Sequence, residues 1–279
     1  MSWIQETYKE GLRFGLELKA QLFSGQSDFQ KVEIFESTKH GRVLLNDDCF
    51  MLCERDERIY HEMMAHVPLS VHPNPRKVLI IGGGDGGTAR EVLRHSTVEK
   101  CTLVEIDKMV VDACREFIPS TAKVFDDPRM ETRIEDGLAF AKNSQEKFDV
   151  ILVDSTDPSG PALSLFDHQF YADLTQRLTD NGIIVAQGES VFYETEMQSK
   201  LLSITSSLFP LTGIFNFTNM TYPGGLWSFT WASKALHPIK DLRAGLKLGP
   251  MFYYNEDVHR SAFNLPQFQK DALAKWIKI

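Results

Sequence analysis

The chain has 279 residues and a formal charge of −8, from 30 Lys+Arg against 38 Asp+Glu. With 43% hydrophobic and 24% charged residues, it has the composition of a globular protein with one large or two modest domains, not of a disordered tail. The acidic balance argues against nucleic acid and against an anionic membrane surface as partners, and leans towards a cationic partner.

Residues 1–56 predict a small antiparallel β-domain. Lys31–Glu36 alternates polar and apolar residues with the period of a half-buried strand, and His40-Gly41 and Asn46-Asp47-Asp48 supply turns. Met1–Glu10 lacks the apolar core of a signal peptide. Glu54–His66 predicts a helix with Ile59 and Met63 on one face, ended by Pro68, Pro73 and Pro75.

Residues 57–279 predict a second domain. Val78–Ile81 is a buried strand running into Gly82-Gly83-Gly84-Asp85-Gly86-Gly87, followed by a helix over Thr88–His95. A strand at Thr102–Ile106 and a helix at Lys108–Phe117 come next, then strands at Met130–Ile134 and Phe148–Val153 with a helix over Leu138–Asn143 between them. Asn181-Gly182 predicts a turn before the strand Ile183–Ala186. Alternating strands and helices imply a parallel sheet covered on both faces. The densest apolar runs are four residues long, strand length and far short of a membrane span. Cys49, Cys53, Cys101 and Cys114 form no CxxC pair, and no His cluster stands at zinc spacing. We therefore expect reduced thiols, a cytoplasmic location and no metal.

The glycine loop joins a strand to a helix, where ligands of open parallel sheets bind. Four successive strand ends each present an acid: Asp85, Glu105, Asp136 and Asp154. Glu105 stands about 20 residues past the loop, the place of a ribose-binding acid. Gly82-x-Gly84-x-x-Gly87 also fits a dinucleotide fingerprint, but the Asp85 carboxylate would repel a pyrophosphate. It suits a nucleoside with a cationic tail. Decarboxylated S-adenosylmethionine, which keeps the sulfonium and amine and lacks the carboxylate, fits best. Asp154 and Asp157 flank the start of a Pro/Gly-rich loop, where two carboxylates can hold an ammonium group and one can accept its proton. The loop continues through Ala162 and Leu163 to Phe166 as an apolar lid. Residues 131–167 hold eight acids and three bases, so the negative charge is expected to concentrate around this site.

These residues make the chain recognisable. It resembles the spermidine synthase (polyamine aminopropyltransferase) family, bacterial type. The stretches are Glu54–Glu57 with Tyr60–Met63, Val78–Gly87, Val104–Asp107, Asp154–Pro161 with Leu165-Phe166, Thr221–Gly225, and Tyr253–Asn255 through His259 to Phe268. Met51 stands where animal members carry a glutamine. The resemblance implies an α/β fold, a Rossmann-like methyltransferase-type sheet domain with the small N-terminal β-domain, in a homodimer or homotetramer. It implies transfer of the aminopropyl group of decarboxylated S-adenosylmethionine, a co-substrate rather than a cofactor, to putrescine. Asp154 would accept the proton. Tyr60, His61, Asp85, Asp157 and Tyr222 would lie along the aminopropyl and polyamine groove. Gln30, Gly82, Gly84, Glu105, Asp136, Gly137 and Pro161 would bind the nucleoside, and Gly188-Glu189-Ser190 would touch the far end of the amine. The alternatives are another acceptor amine (cadaverine, agmatine or spermidine), a putrescine N-methyltransferase, an NAD-dependent dehydrogenase and a non-catalytic polyamine-binding protein.

Overall fold

Five strands open the chain: β1 (Ser2–Thr7), β2 (Arg13–Gln26), β3 (Lys31–Ser37), β4 (Arg42–Asn46) and β5 (Cys49–Cys53). In this computed structural model, which describes residues 2–157 and 160–279 without the side chains of Glu10, Gly160 and Pro161, they form one antiparallel sheet in sequence order. Asp47 and Asp48 close the β4–β5 hairpin with φ of +47° and +65°. Positive φ at both positions matches the right-handed twist of a two-residue hairpin, and Asp tolerates it better than most residues. Strands β3 to β5 bury side chains on both faces of the sheet. Ile4, Leu16, Val43 and Phe50 make a small cluster on one side, and Val32, Ile34, Leu44 and Leu52 join the main core on the other.

Next come α1 (Glu57–Val71), β6 (Lys77–Gly82), α2 (Gly87–Val92), β7 (Lys100–Glu105), α3 (Lys108–Phe117), α4 (Pro119–Ala122), β8 (Met130–Ile134), α5 (Gly137–Asn143) and β9 (Phe148–Asp154). They are followed by α6 (His168–Arg177), β10 (Leu178–Ser190), α7 (Thr195–Leu208), β11 (Leu211–Thr218), β12 (Leu226–Ser233), α8 (Glu256–Ala262) and α9 (Gln267–Leu273). Seven strands make one sheet in the order β11-β12-β10-β9-β6-β7-β8, parallel except for β12, which runs antiparallel to both its neighbours. Side chains of β6 alternate between two cores. Val78 and Ile80 pack with α1, α2 and α3, and Leu79 and Ile81 with α5, α6 and α7. All four are at most 1% exposed, and each such side chain stabilises the fold by roughly 1.5–3 kcal/mol. The chain is thus a Rossmann-like α/β protein with a small N-terminal antiparallel sheet. Among the described residues no helix is long and apolar enough to cross a membrane.

Three expectations are corrected. Pro68 does not end α1, which runs on to Val71. A helical proline forfeits one amide donor, but Val67, Leu69 and Val71 are buried against the core and hold the last turn in place. Asn181-Gly182 does not break the chain before Ile183. It lies inside β10, whose register against β9 shifts between Leu178 and Ile183. Sheet pairing overrides local turn preference there and absorbs the pair as an irregularity. The helix expected over Thr88–His95 is the shorter α2.

A candidate active site at the switch point of the sheet

The chain leaves β6 for β7 on one side and returns to place β9 on the other, so the strand order reverses between β6 and β9. Ligands of open α/β sheets bind at the carboxyl ends of the strands at such a point. There Gly82 of β6 stands in register with Asp154 of β9, and the Gly83 amide donates to the Asp154 carbonyl at 2.9 Å. At Gly82 φ is +84°, and a Cβ would collide with that carbonyl. A Cβ at Gly84 would come within 2.9 Å of Glu105 Oε2. Glycine at these two positions is what lets the loop close onto both acids.

Above the strand ends lies an open cleft. Asp85, Glu105, Asp136 and Asp154 all face it, as do Gly82, Gly84 and Gly137. Glu105 accepts from the Asp107 amide at 2.9 Å, and burial pushes its carboxyl up to about 7. Asp136 caps α5 by accepting from the Leu138 amide at 2.8 Å. Gln30 enters from the turn after β2 and donates to Asp107 Oδ2 at 3.0 Å, so the N-terminal sheet roofs one side of the cleft.

Both oxygens of Asp154 are engaged. The Tyr60 hydroxyl donates to Oδ1 at 2.8 Å and the Thr88 hydroxyl to Oδ2 at 2.6 Å. Tyr222 donates to the Met51 carbonyl at 2.7 Å. Its ring stands 5.7 Å from that of Tyr60 and 4.9 Å from that of Trp227. Aromatic faces carry negative potential, so this cluster favours a cation.

A second, smaller cavity adjoins the cleft, and Met51, Tyr60, Ser155, Thr156 and Tyr222 line both. Asp157 faces the smaller one, accepts from Gln187 Nε2 at 3.1 Å, and is pushed up to about 6 by burial and by the Glu194 charge. Glu6 of β1 lines the same cavity. Burial pushes it up to about 7 although it accepts from the Phe50 amide at 2.8 Å. Close to Asp157, Glu189 is buried with φ +71°, and its Oε1 has no partner among the described residues. Burial and the Asp157 charge push its carboxyl well above the usual range.

His61 lines neither cavity. It sits in α1 behind Asp85, with Nδ1 2.6 Å from Glu57 Oε2 and Nε2 3.5 Å from Asp85 Oδ1. Arg90 donates to both Glu57 oxygens at 2.9 Å and fixes them. Burial alone would lower the His61 imidazole. The Asp85 and Glu57 charges and the Glu57 hydrogen bond outweigh it and hold it at about 9. Asp85 is pushed up to about 6 by burial, a rise that the His61 charge restrains.

The acids of residues 131–167 do not all gather at the cleft; some stand on the solvated surface. Glu131 and Glu146 pair with Lys100 and Arg133, and Asp167 with Lys200. Asp149 accepts from the Arg76 and Lys77 amides. Asp136, Asp154 and Asp157 are the ones that face the cavities. Pro161, expected at the nucleoside pocket, lies outside the described side chains. Sequence reasoning missed Glu6, Glu57, Thr88, Gln187 and Trp227. The spacing Glu57-x-x-x-His61 on a helix signals one of these contacts; the others join segments far apart in the chain.

The chain matches two family models: the spermidine synthase tetramerisation domain over residues 2–54 and the spermine/spermidine synthase domain over residues 57–241. It is 42% identical to the polyamine aminopropyltransferase of Lachnoclostridium phytofermentans, with 98% of this chain and 99% of the relative covered. It is also 42% identical to that of Clostridium perfringens (strain 13 / Type A), with 97% of each covered. Among solved structures, a spermidine synthase in complex with the transition-state analogue AdoDATO superposes with a TM-score of 0.95 at 42% identity, covering 98% of this chain and 95% of that one. Spermidine synthase from Thermotoga maritima gives 0.93 at 41%, covering 99% and 95%.

Proposed function

On the premise that the chain belongs to the spermine/spermidine synthase family and is a polyamine aminopropyltransferase, we propose that its donor is decarboxylated S-adenosylmethionine and its acceptor putrescine. The products are spermidine and 5′-methylthioadenosine. The observation that carries this reading is the pair of adjoining cavities that share Tyr60 and Tyr222. The larger, with Glu105, Asp136 and Gln30 on its wall, suits a nucleoside. The smaller, with Asp157 and Glu6, suits a diamine. Buried carboxylates that lack a cation are costly, and ammonium groups offset that cost.

In this reading the amine nitrogen forms a bond to the aminopropyl carbon next to sulfur. The C–S bond breaks, its electron pair stays on sulfur, and a neutral thioether leaves. The displacement therefore needs no added cofactor. The nucleophile has to be a free amine, whose pKa in water lies near that of Lys, about 10.4. Nearby carboxylates raise an ammonium pKa, so Asp154 works by taking the proton at the reacting nitrogen. The donor sulfonium helps expel that proton. Holding nitrogen and carbon in line at contact distance supplies much of the remaining rate. Asp85, backed by His61, would take the donor's primary ammonium. Asp157, with Glu6 and Glu189 beyond it, would face the acceptor's distal ammonium. The N-terminal sheet, as a tetramerisation domain, makes the chain part of a homo-oligomer, a dimer or tetramer in this reading.

The test is an acceptor panel. Decarboxylated S-adenosylmethionine is incubated with putrescine, cadaverine, agmatine or spermidine, and the products are weighed by mass spectrometry. Putrescine should be consumed fastest; a faster rate on another amine would replace it as the acceptor.

A further inference from the structure

We propose that Thr88 is a positioning residue of the aminopropyl transfer, acting through Asp154 by locking the plane of its carboxylate; this rests on the proton-accepting role given to Asp154 above. Thr88 is the second residue of α2 and is fully buried. So close to the helix start there is no helical carbonyl one turn earlier for its hydroxyl to bond back to, and the hydroxyl reaches out of the helix to Asp154 Oδ2 at 2.6 Å, across 66 residues of sequence.

The consequence follows from the softness of the aspartate side chain. Rotation about its terminal Cβ–Cγ bond is broad and roughly two-fold, so a carboxylate held at one oxygen still rocks. Tyr60 holds Oδ1 at 2.8 Å and Thr88 holds Oδ2. One donor on each oxygen, from two different helices, fixes the plane. Each oxygen keeps a further lone pair for the amine proton. The Asp154 main chain is fixed as well, through the Gly83 amide. The backbone bond and the two hydroxyls restrain the proton acceptor at its main chain and at both carboxylate oxygens. Proton transfer in the displacement demands that alignment, and a misplacement of about 1 Å costs on the order of 10²-fold in rate.

The test uses Thr88→Val, which exchanges the hydroxyl for a methyl of like size, and Thr88→Ser, which keeps the hydroxyl. Thr88→Val is expected to lower kcat roughly 10–10²-fold, with KM for donor and acceptor near wild type and an unchanged fold by circular dichroism. Thr88→Ser is expected to recover most of the rate. In an Asp154→Asn background Thr88→Val should cost nothing further, because the residue acts through Asp154. A wild-type kcat in Thr88→Val, a loss confined to KM, an equal loss in Thr88→Ser, or a full additional loss in the Asp154→Asn background would each overturn the assignment. The wild-type control separates the two claims. If wild-type enzyme turns over an amine other than putrescine, the functional reading changes and the same variants are measured on that amine. If it transfers to no amine, both claims fall.

Discussion

Tyr60 and Asp154, 94 residues apart in sequence, are joined by a 2.8 Å hydrogen bond from the phenol to Oδ1. Tyr60 comes from α1, the first helix after the small sheet, and Asp154 ends β9, so the contact ties the lining helix to the sheet's binding edge. If Asp154 takes the amine proton, Asp154→Asn removes the base and preserves the shape. Turnover should fall roughly 10²–10⁴-fold while donor affinity by calorimetry stays near wild type. Undiminished turnover would remove Asp154 from that role.

Asp157 should divide binding from chemistry differently. It faces the smaller cavity and not the cleft. Losing a hydrogen bond to a charged group costs about 1.5–3 kcal/mol, which is roughly 10–10²-fold in affinity. Asp157→Asn is expected to raise KM for putrescine by about that factor and to leave KM for the donor unchanged. Steady-state kinetics with each substrate varied in turn checks this, and equal effects on both KM values would contradict it.

The raised carboxyls set a pH dependence for acceptor binding. Asp157 is held at about 6 and Glu6 at about 7 when no cation is bound. Below those values they carry protons that must leave before an ammonium can pair with them, and above them they are already ionised. Putrescine should therefore raise the melting temperature more at pH 8 than at pH 5. A larger rise at pH 5 would exclude these carboxyls as its ligands.

His61 makes a stability prediction of definite sign. Its folded value of about 9 lies above the ordinary 6.5. The extra proton affinity stabilises the fold in full below about pH 6.5 and is lost as pH rises through about 9. The amount is roughly 3 kcal/mol. Wild-type protein should thus lose melting temperature between pH 7 and 9.5 more steeply than His61→Gln. Parallel curves would show that Glu57 and Asp85 do not hold the proton.

The binding edge was legible because its signals are local. Each of Asp85, Glu105, Asp136 and Asp154 ends or closely follows a short strand, and the structure turns all four to one cleft. Lys108–Phe117 and Met130–Ile134 match their predicted bounds because period and end signals agree there. What failed was local preference overruled by packing, as at Pro68 and at Asn181-Gly182. His61 was expected along the groove and stands behind Asp85, since a helix position does not reveal which neighbour intervenes. The contacts of Glu6, Thr88 and Trp227 depend on tertiary approach, which no spacing along the chain encodes.

The most direct measurement is a crossed incubation of the enzyme and putrescine with either decarboxylated or intact S-adenosylmethionine, with all products identified by mass. Spermidine and 5′-methylthioadenosine are expected in equal amounts from the decarboxylated donor, and no product from the intact one, whose carboxylate Asp85 repels. N-methylputrescine from intact S-adenosylmethionine, with no methylthioadenosine from the decarboxylated donor, would contradict aminopropyl transfer by this chain.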